Sequence, residues 1–301
     1  MLAIQVENIS KNYGKLLALD QVSFSVESGE LFGLIGPDGA GKSTLFRILT
    51  TLLIADKGKA TVTGADVVNG YREIRKNVGY MPGKFSLYQD LSVEENLHFF
   101  ATIFGTTIAD NYDLIKDIYV QIEPFKNRLA GKLSGGMKQK LALCCALIHK
   151  PNVLFLDEPT TGVDAVSRKE FWDMLQSLKQ KDIAILVSTP YMDEASLCDR
   201  IALIQKGKIL KVDKPEQMIE DFRKPLYAIK TNNTYQVLKH LRNQDFTVSA
   251  LPFGDYIHLI TKLATETRFI KDSIESKGLM IHEVIAIKAT IEDIFLDLSD
   301  E

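Results

Sequence analysis

One stretch constrains this chain more than any other: Gly36-Pro37-Asp38-Gly39-Ala40-Gly41-Lys42-Ser43-Thr44, which fits the phosphate-binding pattern G-x-x-x-x-G-K-[ST]. The apolar run before it, residues 31–35, reads as a buried strand, and residues 45–49 after it read as the start of a helix. Strand, glycine loop and helix in that order is the context in which the pattern has a physical meaning. The glycines let backbone N–H groups turn inward and come close to phosphate oxygens. The helix that follows directs its unpaired N–H groups and the positive end of its dipole at the anion. Lys42 supplies a point charge for the β- and γ-phosphates, the Ser43 hydroxyl suits Mg²⁺, and Thr44 adds to the cradle.

A second acidic cluster follows at the right kind of place. Val153-Leu154-Phe155-Leu156 runs directly into Asp157-Glu158. An unbroken apolar run suits a central parallel strand buried on both faces. A carboxylate at the C-terminal end of such a strand stands where open α/β sheets bind ligands. Asp157 is the candidate Mg²⁺ ligand, through water, and Glu158 the candidate group that orients or deprotonates an attacking water. Upstream of this strand, Leu133-Ser134-Gly135-Gly136-Met137 opens a helix expected to run to about residue 149, closed by Pro151, which makes a second anion-binding helix start. Tyr13, in the segment between strands expected at residues 2–7 and 21–26, is an aromatic platform for an adenine ring.

The remainder reads as scaffold. Short strands are expected at 61–64 and 77–82, and residues 91–126 show a helical pattern that opens on Ser92 and Glu95, a capping box. Strands at 183–188, 201–204 and 209–212 follow, and a boundary falls at 215–225. Beyond it the order is strand 226–230, helix 235–242, strand 246–251, strand 256–261, helix 266–277, strand 281–287 and a last helix at 291–298. That βαββαβ order is compatible with a small ferredoxin-like domain without a catalytic constellation. With 301 residues, two domains are expected: 1–215, an α/β P-loop domain with a helical subdomain at about 84–150, and 216–301, a small α+β domain with a regulatory or dimer-supporting role.

Composition enters by exclusion. A net charge of −3 gives no reason to expect a nucleic-acid surface. The cysteines, Cys144, Cys145 and Cys198, are too few for a disulfide framework and read as reduced core thiols. No secretory leader is expected, because residues 1–6 alternate like a strand. No apolar stretch reaches the roughly 18 residues of a membrane span.

Over about residues 2–215 these motifs, in this order, make the chain resemble the ATP-binding subunit of ABC transporters. Residues 36–44 stand as Walker A, Ser134, Gly135 and Gly136 lie in the signature segment, residues 154–158 stand as Walker B, Gly162-Val163-Asp164 as the D-loop, and Tyr13 at the adenine-stacking position. Thr290-Ile291-Glu292-Asp293-Ile294-Phe295 near the chain's end looks like the exporter branch associated with drug and multidrug transport. The resemblance implies MgATP as the bound nucleotide and separate membrane-spanning subunits, docked near residues 84–95. It implies a second ATP-binding subunit arranged head to tail, so that Ser134, Gly135 and Gly136 serve the partner's ATP, and a place on the inner face of the cell membrane. Three positions depart from the family. Gly83 stands where a glutamine is usual, Pro190 where a histidine contacts the γ-phosphate, and Met137 replaces the signature glutamine. The departures favour an asymmetric heterodimer over a homodimer. They also keep open an alternative, a nucleotide-gated regulatory subunit with little hydrolysis of its own. A soluble ATPase acting on ribosomes or DNA is disfavoured, because the chain carries one cassette and no long heptad run.

Overall fold

The structure, a computed structural model, describes residues 1–300. Two long antiparallel strands, β1 (Leu2–Tyr13) and β2 (Leu16–Glu27), turn through Gly14, whose φ of +58° a side chain would disfavour. The strands extend past the expected 2–7 and 21–26, so Lys11, Asn12 and Tyr13 lie in a strand rather than a loop. Register shifts along the pair break the alternation by which the sequence announces a strand. The chain continues with β3 (Leu31–Ile35), α1 (Lys42–Leu49), β4 (Lys57–Val62), β5 (Ala65–Asp66), α2 (Tyr71–Asn77) and β6 (Val78–Met81).

The helical stretch expected at 91–126 is divided into α3 (Val93–Ile103), α4 (Tyr112–Tyr119) and a short 3₁₀ turn. Gly105, at φ +68°, ends α3: its N–H reaches Thr102 O at 3.1 Å and that of Thr106 reaches Ala101 O at 3.0 Å, the paired closing bonds of a Schellman motif. Then come α5 (Gly135–Leu147), β7 (Val153–Asp157), α6 (Ala165–Lys179), β8 (Ala184–Thr189), β9 (Arg200–Gln205) and β10 (Lys208–Asp213).

Two sheets sandwich α1. One is antiparallel, in the order β2-β1-β4-β5; the other runs β10-β9-β3-β8-β7-β6, parallel except for the edge strand β10. Strands β3, β7 and β8 are buried along their whole length, as central parallel strands must be. From α1, Leu45, Phe46, Ile48 and Leu49 join a core drawn from both sheets, with the Phe46 ring edge-on to Phe155 at 6.0 Å. Phe46 is fully buried, so deleting its ring would cost about 3–5 kcal/mol. This packing fixes the direction of α1 and therefore of its N-terminus.

The chain divides into two compact units, Met1–Pro215 and Glu216–Glu301. After α7 (Pro215–Asp221), the second unit contains β11 (Leu226–Lys230), α8 (Thr234–Arg242), β12 (Thr247–Phe253), β13 (Tyr256–Thr261), α9 (Thr267–Glu275), β14 (Glu283–Ala286) and α10 (Ile291–Asp300). Its sheet is antiparallel throughout, ordered β12-β13-β11-β14. Ile229, Ile257 and Leu259 pack on Val237 and Leu241 of α8 and on Ile270 and Ile274 of α9. On the alternate strand positions, His258 Nδ1 meets Asp293 Oδ1 of α10 at 2.6 Å. Among the described residues no helix is long and apolar enough to cross a membrane.

Candidate active site

The C-terminal ends of three neighbouring parallel strands converge. Ile35 of β3 pairs with Thr189 of β8, and Ser188 of β8 pairs with Asp157 of β7. After β3 the glycine loop is tied down by Gly36 N–H donating to Thr189 O at 3.2 Å and Ala40 N–H donating to Pro37 O at 3.2 Å. The loop tolerates no side chain at its two ends. A Cβ on Gly36 would stand 2.1 Å from Ile204 O, and one on Gly41, at φ +107°, 2.5 Å from Ala18 O. Between them Pro37, Asp38 and Gly39 face solvent, while Ala40 is buried. Gly41 caps α1 with no side-chain hydrogen bond and no acid lies in the first turn. The N–H groups that begin α1 thus remain available to an anion.

Lys42 is 3% exposed. Its ammonium donates to Gly36 O at 2.7 Å and Pro37 O at 3.0 Å, and pairs with Glu158 Oε1 at 3.1 Å. Ser43 and Thr44 follow it, half-buried. Glu158 has a left-handed φ of +51°, a conformation that costs a non-glycine residue about 1–3 kcal/mol. It is held there by its own N–H, which donates to Ser188 O at 3.1 Å and Ser188 Oγ at 3.0 Å. The same Ser188 hydroxyl donates to Asp157 Oδ1 at 2.7 Å. Asp157 is buried, and its charge, after burial itself, helps push the Tyr80 phenol up to about 12. A carboxylate and a serine hydroxyl are hard oxygen donors, and few of them, which is the donor set Mg²⁺ takes when phosphates and waters complete its shell.

Gly83 lies against this cluster. A Cβ on Gly83 would be 3.0 Å from Asp157 O and 3.9 Å from Glu158 Cβ, so a side chain there would issue directly beside the acidic pair. Pro190 follows β8, with the Tyr191 N–H donating back to Thr189 Oγ1 at 3.0 Å.

The structure brings Lys42, Asp157 and Glu158 together and puts Ser134, Gly135 and Gly136 at a different helix start. Ser134 caps α5, its hydroxyl accepting from Met137 N–H at 3.3 Å. Ser134 and Gly135 are exposed; Gly136 is buried, and a Cβ there would lie 2.6 Å from Ser167 Oγ. The near neighbours of this pair of glycines are Gly162 and Ser167. Tyr13 is exposed at the tip of the β1–β2 hairpin, whose Ala18 lies against Gly41. All three cysteines are buried, and burial pushes each thiol well above its ordinary range, which makes them poor nucleophiles. Sequence reasoning missed Ser188. A polar residue closing the apolar run of β8, at the sheet's ligand-binding end, was the signal that could have found it.

Comparison with known proteins finds relatives of one kind. Residues 19–161 match the family model described as ABC transporter. The chain is 41% identical over 217 residues to a probable multidrug ABC transporter ATP-binding protein of Escherichia coli K12, covering 71% of this chain and 38% of that relative's length. It is 39% identical over 223 residues to a Nod factor export ATP-binding protein I of Rhizobium sp. strain N33, covering 73% of each. Among solved structures, an ATP-binding subunit of an ABC transporter superposes with a TM-score of 0.67 at 26% identity, covering 73% of this chain and 93% of that one.

Proposed function

Because this chain belongs to the ABC transporter ATP-binding family, we propose that it binds MgATP between subunits and couples ATP binding and hydrolysis to export through separate membrane subunits. The observation that carries this reading is the Lys42–Glu158 ion pair inside a glycine loop that tolerates no side chain at its ends. A triphosphate is the natural replacement for Glu158 as the partner of Lys42, which would release the carboxylate to orient or deprotonate water. Gly36, Pro37, Asp38, Gly39, Ala40, Gly41, Lys42, Ser43 and Thr44 form the phosphate cradle, and Tyr13 stacks on the adenine. Ser43 and Asp157 would hold Mg²⁺, which would supply positive charge to the phosphates.

Ser134, Gly135 and Gly136 serve the ATP of a second ATP-binding subunit. They are supported in that role by lying at the start of α5 rather than of α1, with Ser134 and Gly135 exposed. ATP binding closes the two subunits on each other, and loss of the γ-phosphate releases them. Residues 84–95, in the helical subdomain of about 84–150, dock a membrane subunit at the inner face of the cell membrane. A cavity of about 350 Å³ lined by Tyr80, Phe85, Leu87, Phe100 and Phe104 supports this. Export as the direction draws on the names of the two relatives, one multidrug and one Nod factor export. The unit from Glu216 onward is a ferredoxin-like regulatory or dimer-supporting domain, a reading its strand order and antiparallel pairing support.

Gly83 and Pro190 present no polar side chain to a γ-phosphate, so binding at this P-loop serves closure more than turnover, and a heterodimer with a competent partner is favoured. The purified chain is expected to bind ATP and turn it over slowly, with turnover rising when the second ATP-binding subunit is added. Brisk turnover by the purified chain, abolished by Glu158→Gln, would leave the ATPase reading standing and remove the asymmetry. Failure to bind ATP would remove both.

A further inference from the structure

Glu194 takes no part in the site as described, yet it is 2% exposed. A carboxylate is buried at this depth only when it is partnered, and here three segments partner it. Thr160 Oγ1 donates to Oε1 at 2.9 Å, Thr189 Oγ1 donates to Oε2, and Arg168 Nε lies 3.7 Å from Oε1. Thr160 follows the acidic pair Asp157-Glu158. Thr189 ends β8 directly before Pro190. Arg168 is on α6, next to Ser167, against which Gly136 is packed.

Contacts continue on both sides of this junction. Toward the nucleotide loop, Thr189 adjoins Ser188, whose hydroxyl holds Asp157 and the Glu158 N–H, and Glu158 pairs with Lys42. Toward α5, the Arg168 guanidinium lies 4.8 Å over the Tyr191 ring and 3.1 Å from Asp193 Oδ2, so α6 grips the turn that contains Pro190. Contacts and adjacent residues therefore run from Lys42 to the start of α5, and Glu194 is where three branches meet.

We propose that Glu194 is a positioning residue that couples occupancy of this chain's P-loop to the placement of its own Ser134, Gly135 and Gly136; this rests on the reading that those residues serve a second subunit's ATP. A phosphate that takes Lys42 removes the ion partner of Glu158. The change then passes through the adjacent Ser188 and Thr189 into Glu194, because hydrogen bonds linked in a low-dielectric interior polarise and strengthen one another. With Gly83 and Pro190 unable to sense a γ-phosphate by side chain, this route carries the signal.

The test uses the intact transporter containing both ATP-binding subunits for turnover, and the isolated chain for ATP affinity. Glu194→Ala is expected to leave the isolated chain's affinity within about twofold and to lower maximal turnover of the assembly about tenfold at an unchanged KM. Glu194→Gln keeps an oxygen acceptor and is expected to recover most of the loss; if the alanine fails to fold, Thr160→Val, which removes the hydroxyl donating to Oε1, is expected to lower turnover in its place. In a double-mutant cycle, Lys42→Ala is expected to lower turnover about fivefold more in the wild-type background than in the Glu194→Ala background. Unchanged turnover, parallel loss of affinity and turnover, or additive effects in the cycle would overturn the coupling. An assembly that hydrolyses no ATP even as wild type would overturn the functional reading as well, an outcome distinct from the other three.

Discussion

Two serines begin two helices in the same unit, and they do so differently. Ser92 caps α3 within a closed capping box: its hydroxyl accepts from Glu95 N–H at 3.2 Å, and the Glu95 carboxylate accepts from Ser92 N–H at 2.7 Å. Ser134 caps α5 from one side only, because Met137 occupies the position of Glu95 and cannot reach back. Ser92 is buried and Ser134 exposed. A reciprocal cap satisfies the helix start and places a negative charge on it, which repels any further anion. A one-sided cap followed by two glycines leaves N–H groups and a positive dipole end open to solution. The difference separates a helix start closed on itself from one left open on one side, where the proposed role of Ser134 needs it open.

Installing the missing acid at α5 is the strongest way to break this comparison. Met137→Glu would complete a capping box on α5 and set a carboxylate against the partner's triphosphate. ATP turnover of the assembled transporter should fall about thirtyfold, while the thermal stability of the isolated chain is unchanged or raised by up to about 1 kcal/mol. Equal turnover in variant and wild type would mean that this helix start receives no anion. The converse change is smaller. Ser92→Ala should destabilise the chain by about 1 kcal/mol, read from chemical denaturation, and leave ATP affinity unaltered.

A third helix start sharpens the structural side. At α10, Asp293 Oδ2 accepts from Thr290 N–H at 2.8 Å and from Thr290 Oγ1 at 2.7 Å, while Oδ1 meets His258. Burial pushes the Asp293 carboxyl up, but the bonds from His258 and Thr290 outweigh it and hold the group below its ordinary 3.8. A depressed carboxylate contributes stability that is present above its unfolded value and is lost as pH falls through the folded one. The stabilisation of α10 on its sheet should therefore be complete near neutral pH and disappear below about pH 4. Thermal melts of wild type and Asp293→Asn should differ above that range and converge below it, the smallest effect of the three.

Much of the site could be read from short-range spacing. Gly36, Gly41, Lys42 and Ser43 are separated by fixed numbers of residues, and their geometry is local to one loop and one helix. Ser92 and Glu95 follow the same logic, as does Asp157 at the end of an apolar run. Reading failed where pairing is irregular, as in the second half of β1, and where a glycine at φ +68° divides what looked like one helical stretch into α3 and α4. It also passed over Ser188, marked only by its place at the end of an apolar run, and Glu194, because nothing near it in the chain needs a buried acid.

The sequence alone determined the phosphate loop, the acidic strand end, the helix start at Ser134 and the two-part order of elements, since each is written in residues close enough to constrain one another through the backbone. Tertiary structure alone decided that Lys42 rests on Glu158, that Ser188 holds the acidic pair, and that Glu194 ties Thr160, Thr189 and Arg168 together. Those contacts depend on which strands lie side by side in the parallel sheet, and that order is set by burial of whole apolar faces rather than by any local pattern.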